Sequence, residues 1–105
     1  MSRNGYAYEK LLGAVDIMAT GKGSRPEKLG RATMLLLRVH GRDLPPELFA
    51  VLSDIKSAMT ARPARGSWEG RLAASVAQMP WQQAESLSRK LFELFLSVAA
   101  LRKVM

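Results

Sequence analysis

The sequence predicts an all-α protein, and three observations lead to that prediction. Apolar residues recur at spacings of three and four along most of the chain, which is the period of an amphipathic helix. No segment of useful length alternates apolar and polar residues with period two, as a half-buried strand would. Glycine and proline residues divide the apolar pattern into five segments. We therefore expect five helices, over about residues 5–20, 25–40, 45–60, 67–78 and 80–102.

Length and composition favour one compact domain. The chain has 105 residues, of which 48% are apolar and 24% charged, and it contains no cysteine. A chain of this length buries about two thirds of its unfolded surface, so we expect residues 1–105 to form a single five-helix, bundle-like domain. The lack of cysteine excludes disulfide frameworks, thiol nucleophiles and cysteine-based metal sites. Because we find neither a signal peptide nor an apolar stretch of roughly 20 residues, we expect a cytoplasmic protein that is not in a membrane.

The first helix, over about residues 5–20, has an apolar stripe opposite a polar face. It should end at the glycine-containing break from Gly21 to Gly23, as helices commonly do. The same run has a superficial likeness to a phosphate-binding loop. Its glycine spacing is wrong, however, and a helix precedes it where a strand is required. We interpret the run as a turn between two helices.

The start of the second helix is the clearest local signal in the chain. In the segment from Ser24 to Glu27, the serine oxygen can accept from the Glu27 amide while the glutamate side chain reaches back, which is a capping box. Pro26 loses no hydrogen bond there, because amides of the first turn have no partner within the helix. We expect this helix to run to about His40 and to stop at Gly41.

Proline residues mark where the later helices begin. Pro45 and Pro46 are tolerated only in a first turn, so the third helix should begin there. We expect residues 61–66 to form a linker, and the fourth helix, over about residues 67–78, to be weak on its own because it is short and contains Gly70. Pro80 then restarts the chain as the fifth helix.

The fifth helix is apolar over more than half of its circumference, which predicts either a central place in the bundle or a subunit interface. We expect one apolar side to form a homodimer contact, and the residues assigned to it are Leu91, Leu94, Phe95 and Val98. Aromatic residues at helical spacing usually lie in a core, so we expect Trp68, Trp81, Phe92 and Phe95 to be core residues.

Basic residues are in excess, with 16 Lys and Arg against 9 Asp and Glu, for a formal net charge of +7. Much of the excess lies along one flank of the second helix and in the linker after the third. The candidate nucleic-acid or anion contacts are Lys28, Arg31, Arg38, Arg42, Arg62 and Arg65. Such a stripe could contact several phosphates, although aromatic residues that would stack on bases are missing from it.

Residues suited to catalysis are few. His40 is the only histidine, and Asp43 is the one carboxylate close to it in sequence, so we interpret His40 as a capping or packing residue. Glu47 and Asp54 are seven residues apart on the outer face of the third helix, which is typical of a solvated surface. We expect no enzymatic activity, no cofactor and no metal ion.

Together these features predict a small interaction or regulatory protein that acts through helix faces, binding a second copy of itself or another protein. The alternative is a nucleic-acid-binding protein that uses the basic stripe of the second helix and the loop at residues 62–65. A weaker third reading is an enzyme centred on His40 and the carboxylates near it.

Overall fold

A computed structural model of the chain describes residues 3–62 and 68–104, and it describes side chains over residues 5–62 and 70–101. Within these ranges the backbone forms five α-helices and one short 3₁₀ turn, with no strand. The helices are α1 (Arg3–Thr20), α2 (Arg25–Leu36), α3 (Pro46–Met59), α4 (Trp68–Ala77) and α5 (Trp81–Val104), and the 3₁₀ turn is Gly41–Asp43. The predicted all-α class is confirmed.

The predicted capping box at the start of α2 is confirmed. Ser24 is the N-cap residue, and its Oγ accepts a hydrogen bond from the backbone N–H of Glu27 at 3.3 Å. In return, the backbone N–H and the hydroxyl of Ser24 both donate to Oε1 of Glu27, at 3.3 and 2.9 Å. These bonds satisfy amides that have no partner within the helix, which is why α2 begins at this point.

The capping box makes the stability of the protein depend on pH. Hydrogen bonds from the side chain and then the backbone of Ser24, together with the charge of Arg31, lower the pKa of Glu27 below its ordinary value of 4.5. Because the folded state depresses this pKa, the stabilisation is complete above the unfolded value and is lost as the pH falls through the folded value. We expect Glu27→Gln to flatten the decline in melting temperature between about pH 5 and 3.

The matched control is Glu9→Gln, which removes an exposed carboxylate from α1. Its melting temperature should decline with acid as steeply as that of the wild type. If the Glu27→Gln curve is also parallel to the wild type, the carboxylate contributes nothing to the cap.

The far end of α2 differs from the prediction, because the helix ends at Leu36 and not near His40. A turn follows in which the N–H of Val39 donates to the carbonyl of Leu36 at 3.1 Å. This turn places the Val39 side chain in the core with no exposed surface. The carbonyl of Val39 accepts a hydrogen bond from Nζ of Lys56 on α3 at 2.8 Å. The helix thus ends one turn earlier than predicted, and burial of Val39 and a hydrogen bond to α3 stabilise the turn that follows it.

The core is formed where α5 packs against α1, α2 and α3. The Tyr8 ring on α1 stacks on the Phe95 ring on α5, with the ring centroids 5.6 Å apart. The largest side chains with almost no exposed surface are those of Leu11, Leu29, Leu36, Val39, Leu52, Ile55, Met59, Leu91, Leu94 and Val98. The radius of gyration is 13.4 Å, close to the roughly 13 Å expected of a compact chain of this size.

Three of the four residues that the sequence analysis assigned to a dimer contact are buried within one chain, which corrects that assignment. Leu91 and Val98 have no exposed surface and Leu94 is 2% exposed, because three neighbouring helices cover this side of α5 within one chain. Phe95 is half-buried against Tyr8. A second subunit cannot reach the three buried side chains without unfolding the first.

Two of the expected core aromatic residues are on the surface instead. The Trp81 side chain is 65% exposed and that of Phe92 is 38% exposed. Both lie on a side of α5 that the other helices do not cover. The Trp68 side chain is outside the described residues, as is the expected start of α4 at residue 67.

The short helix α4 packs against α2 and α3. A Cβ atom added to Gly30 on α2 would lie 3.0 Å from Cγ2 of Val76, so glycine permits the close approach of α2 and α4. Ser75 on α4 accepts a hydrogen bond from the backbone N–H of Arg62 at 3.0 Å. Among the described helices, none combines the length and the apolar character needed to cross a lipid bilayer.

Candidate functional site

The main candidate site is a groove between the last turn of α1, the first turn of α2 and the middle of α5. Its volume is about 410 Å³. We call it the α2–α5 groove, and its lining residues are Met18, Arg25, Lys28, Glu85, Ser88, Arg89, Phe92, Glu93 and Leu96. It combines apolar side chains with charges of both signs.

The apolar part of the groove comes mainly from α5. Phe92 and Leu96 are 38% and 64% exposed and, being four residues apart, lie on the same face of the helix. Trp81 precedes Phe92 by eleven residues, which is about three helical turns, so it extends the same face. The surface of α5 therefore carries an exposed apolar stripe in addition to the apolar side that is buried in the core.

The charges of the groove are separated between its two walls. Arg25 and Lys28 project from α2, one turn apart. On α5, Glu85 forms an ion pair with Arg89 at 3.5 Å, so these two charges compensate each other within the helix. Glu93 has no hydrogen-bond or ion-pair partner among the described side chains. The groove thus has a basic α2 wall and one free carboxylate on its α5 wall.

The basic stripe expected along α2 is not continuous. Lys28 belongs to the α2–α5 groove, while the guanidinium of Arg31 donates to the backbone carbonyl of Lys22. Arg38 lies beyond the end of α2 because the helix stops at Leu36, and Arg42 lies in the 3₁₀ turn. Arg62 is exposed near α4, and Arg65 lies outside the described residues. The early end of the helix is what separates these cations.

The separated cations Arg38 and Arg42 line a second site, which we call the basic recess. Its volume is about 480 Å³, and it is lined by Tyr6, Leu37, Arg38, His40, Arg42 and Asp43. The ammonium group of Lys10 lies 5.5 Å from the centre of the Tyr6 ring, which adds a further cation beside the recess. The Asp43 side chain is only 8% exposed and accepts a hydrogen bond from the backbone N–H of His40 at 2.7 Å.

The residues considered for catalysis are dispersed. Asp43 meets His40 through the backbone, and the His40 side chain is exposed. Glu47 and Asp54 are both exposed on α3, as expected of a solvated face. Within the described part of the chain, no group of three or more His, Asp or Glu side chains is placed to hold a metal ion.

The α2–α5 groove brings together residues that the sequence analysis assigned to different features or did not single out. Lys28 was a candidate phosphate contact and Phe92 a core residue, whereas Arg25 and Glu93 were not chosen at all. A helical wheel of α5 does place Glu93 beside Leu96, but it does not say which side of the wheel is uncovered. Comparisons of the chain with protein-family models, curated proteins and solved structures give no match.

Proposed function

We propose that this protein is an interaction module that binds a second copy of itself through the α2–α5 groove. The observation that supports this proposal is the pairing, in one groove, of exposed Phe92 and Leu96 with charges of both signs. The apolar pair supplies a driving force for association. The charges determine which partner fits.

The apolar contribution follows from the exposed area. Covering apolar surface yields roughly 25 cal/mol per Å², so a few hundred Å² around Phe92 and Leu96 favours association. The loss of translational and rotational freedom offsets part of this gain, and affinity therefore does not follow from area alone. A contact of this kind should respond strongly to a charge placed in its centre.

The charges favour a second copy of the chain as the partner. In a two-fold contact the same patch lies on both subunits, so that residue i meets residue j and residue j meets residue i. The basic wall with Arg25 and Lys28 on one subunit can then face the free carboxylate of Glu93 on the other. A nucleic acid or a uniformly acidic protein would meet repulsion from Glu93 in the same groove.

Sedimentation equilibrium at micromolar concentration tests the proposal. The wild type should have about twice the 11.6 kDa mass of the chain. Leu96→Glu should raise the dissociation constant at least tenfold, because it places a desolvated charge in the centre of each copy of the contact.

The matched control is Met34→Glu, since the Met34 side chain is similarly exposed at 49% but lies in the groove between α2 and α4. This variant should remain dimeric. A wild type that sediments only at the mass of one chain contradicts the proposal, and so does equal weakening by both substitutions.

A further inference from the structure

The geometry points to the basic recess as a binding site for the phosphate group of a small phosphorylated molecule. This site is separate from the α2–α5 groove, and it does not depend on dimerisation. The argument rests on the cations around the recess, on the position of Asp43, and on the size and walls of the recess.

The cations of the recess are free to bind an anion. Arg38 and Arg42 are exposed on either side of the turn that follows α2. Neither guanidinium has a carboxylate within ion-pair distance among the described side chains, where Glu85 and Arg89 form the only such pair. The planar guanidinium presents paired N–H donors that match two oxygens of a phosphate, and Lys10 adds a third cation beside Tyr6.

Asp43 is the one carboxylate in the recess, and it does not cancel the positive charge of Arg38 and Arg42 at the mouth of the recess. Asp43 is 8% exposed and its Oδ2 accepts from the backbone N–H of His40 at 2.7 Å, so it faces the interior. The charge of Asp43 also acts on Lys56 of α3: burial lowers the pKa of Lys56, and Asp43 opposes that shift. Because Asp43 is largely buried and Arg38 and Arg42 are exposed, the two guanidinium groups dominate the potential at the mouth of the recess.

The size and walls of the recess select a small ligand. Its volume of about 480 Å³ is within the range of roughly 300–1,000 Å³ that is usual for small-molecule sites. Tyr6 and Leu37 form an apolar wall beside the two guanidinium groups. A ligand with one phosphate and a compact, flat organic group would use both features, whereas inorganic phosphate would use only the first.

Titration calorimetry of the full chain with phenyl phosphate and with inorganic phosphate tests the inference. Phenyl phosphate should bind severalfold more tightly, because its ring can lie against Tyr6 and Leu37. Replacing both Arg38 and Arg42 with glutamine should weaken phenyl phosphate binding at least tenfold. The control replaces Arg62 and Arg71 with glutamine, which removes the same charge from exposed positions outside the recess and should leave binding unchanged.

Three outcomes overturn the inference. The first is the absence of binding by either probe at millimolar concentration. The second is an equal loss of affinity in the two double variants, which would mean that net charge alone attracts the anion. The third is that an oligonucleotide duplex binds more tightly than phenyl phosphate and is weakened by both double variants, which would favour a dispersed nucleic-acid surface. Circular dichroism of both double variants should match that of the wild type, because all four side chains are exposed.

Discussion

Replacing Leu91 with alanine should lower the free energy of unfolding by about 2–5 kcal/mol, the range for removing a large buried aliphatic side chain. Leu91 has no exposed surface and lies where α5 packs against the helices around it. Leu96→Ala is the matched control, since the same side chain is removed from the same helix at a position that is 64% exposed. Its effect should stay within about 0.5 kcal/mol.

Urea unfolding measures both values, at a protein concentration low enough for each variant to be monomeric. Under that condition the difference between the two leucines reports packing within one chain and not association. Similar small losses for both would mean that Leu91 is not enclosed, and would restore the dimer contact assigned to it from the sequence. A large loss for Leu96 would place that side chain inside the fold.

The second large effect is expected from reversing charges in the α2–α5 groove. Lys28→Glu and Glu93→Lys should each raise the dimer dissociation constant at least a hundredfold, because each places two pairs of like charges across a two-fold contact. An equimolar mixture of the two variants should form a heterodimer. In that mixture the reversed charge at position 28 faces the reversed charge at position 93, and the native Lys28 faces the native Glu93.

Analytical ultracentrifugation of each variant alone and of the mixture measures whether a dimer forms. The double variant, which carries both reversals, is a further control. The double variant should also form a homodimer, since positions 28 and 93 again carry opposite charges across the contact. If the mixture remains monomeric while the wild type is dimeric, Lys28 and Glu93 do not meet across the contact. Two-fold pairing through this groove would then be wrong.

Local features of the fold could be predicted from the sequence because their causes are local. The capping box of Ser24 and Glu27 involves residues three apart, and the helical period of the apolar residues reflects one helix at a time. The end of α2 was predicted one turn too late, and the turn that follows it is held by a hydrogen bond between Lys56 and the carbonyl of Val39. Those two residues are far apart in the sequence.

The candidate sites were less predictable because they depend on contacts between residues that are far apart in the sequence. The apolar excess of α5 was visible in its composition, but the side that remains exposed depends on where α1, α2 and α3 pack. Leu91 and Phe92 are adjacent in sequence and have opposite environments. The basic recess likewise depends on how the chain turns after the early end of α2, where Arg38 and Arg42 lie beside Tyr6 of α1.

Two hydroxyl groups are buried on α2 and α5, those of Thr33 and Ser88. Their hydrogen bonds bear on which substitutions the core accepts. Each donates to the carbonyl four residues earlier in its own helix, Thr33 to Leu29 at 2.7 Å and Ser88 to Ala84 at 2.7 Å. These hydroxyls therefore do not fix how one helix slides or rotates against the next. That alignment comes from the volumes of leucine, isoleucine, valine and methionine side chains, and cores of this kind accept many apolar replacements if total volume is kept. Over evolutionary time such an interior can change most of its residue identities while the path of the backbone stays the same.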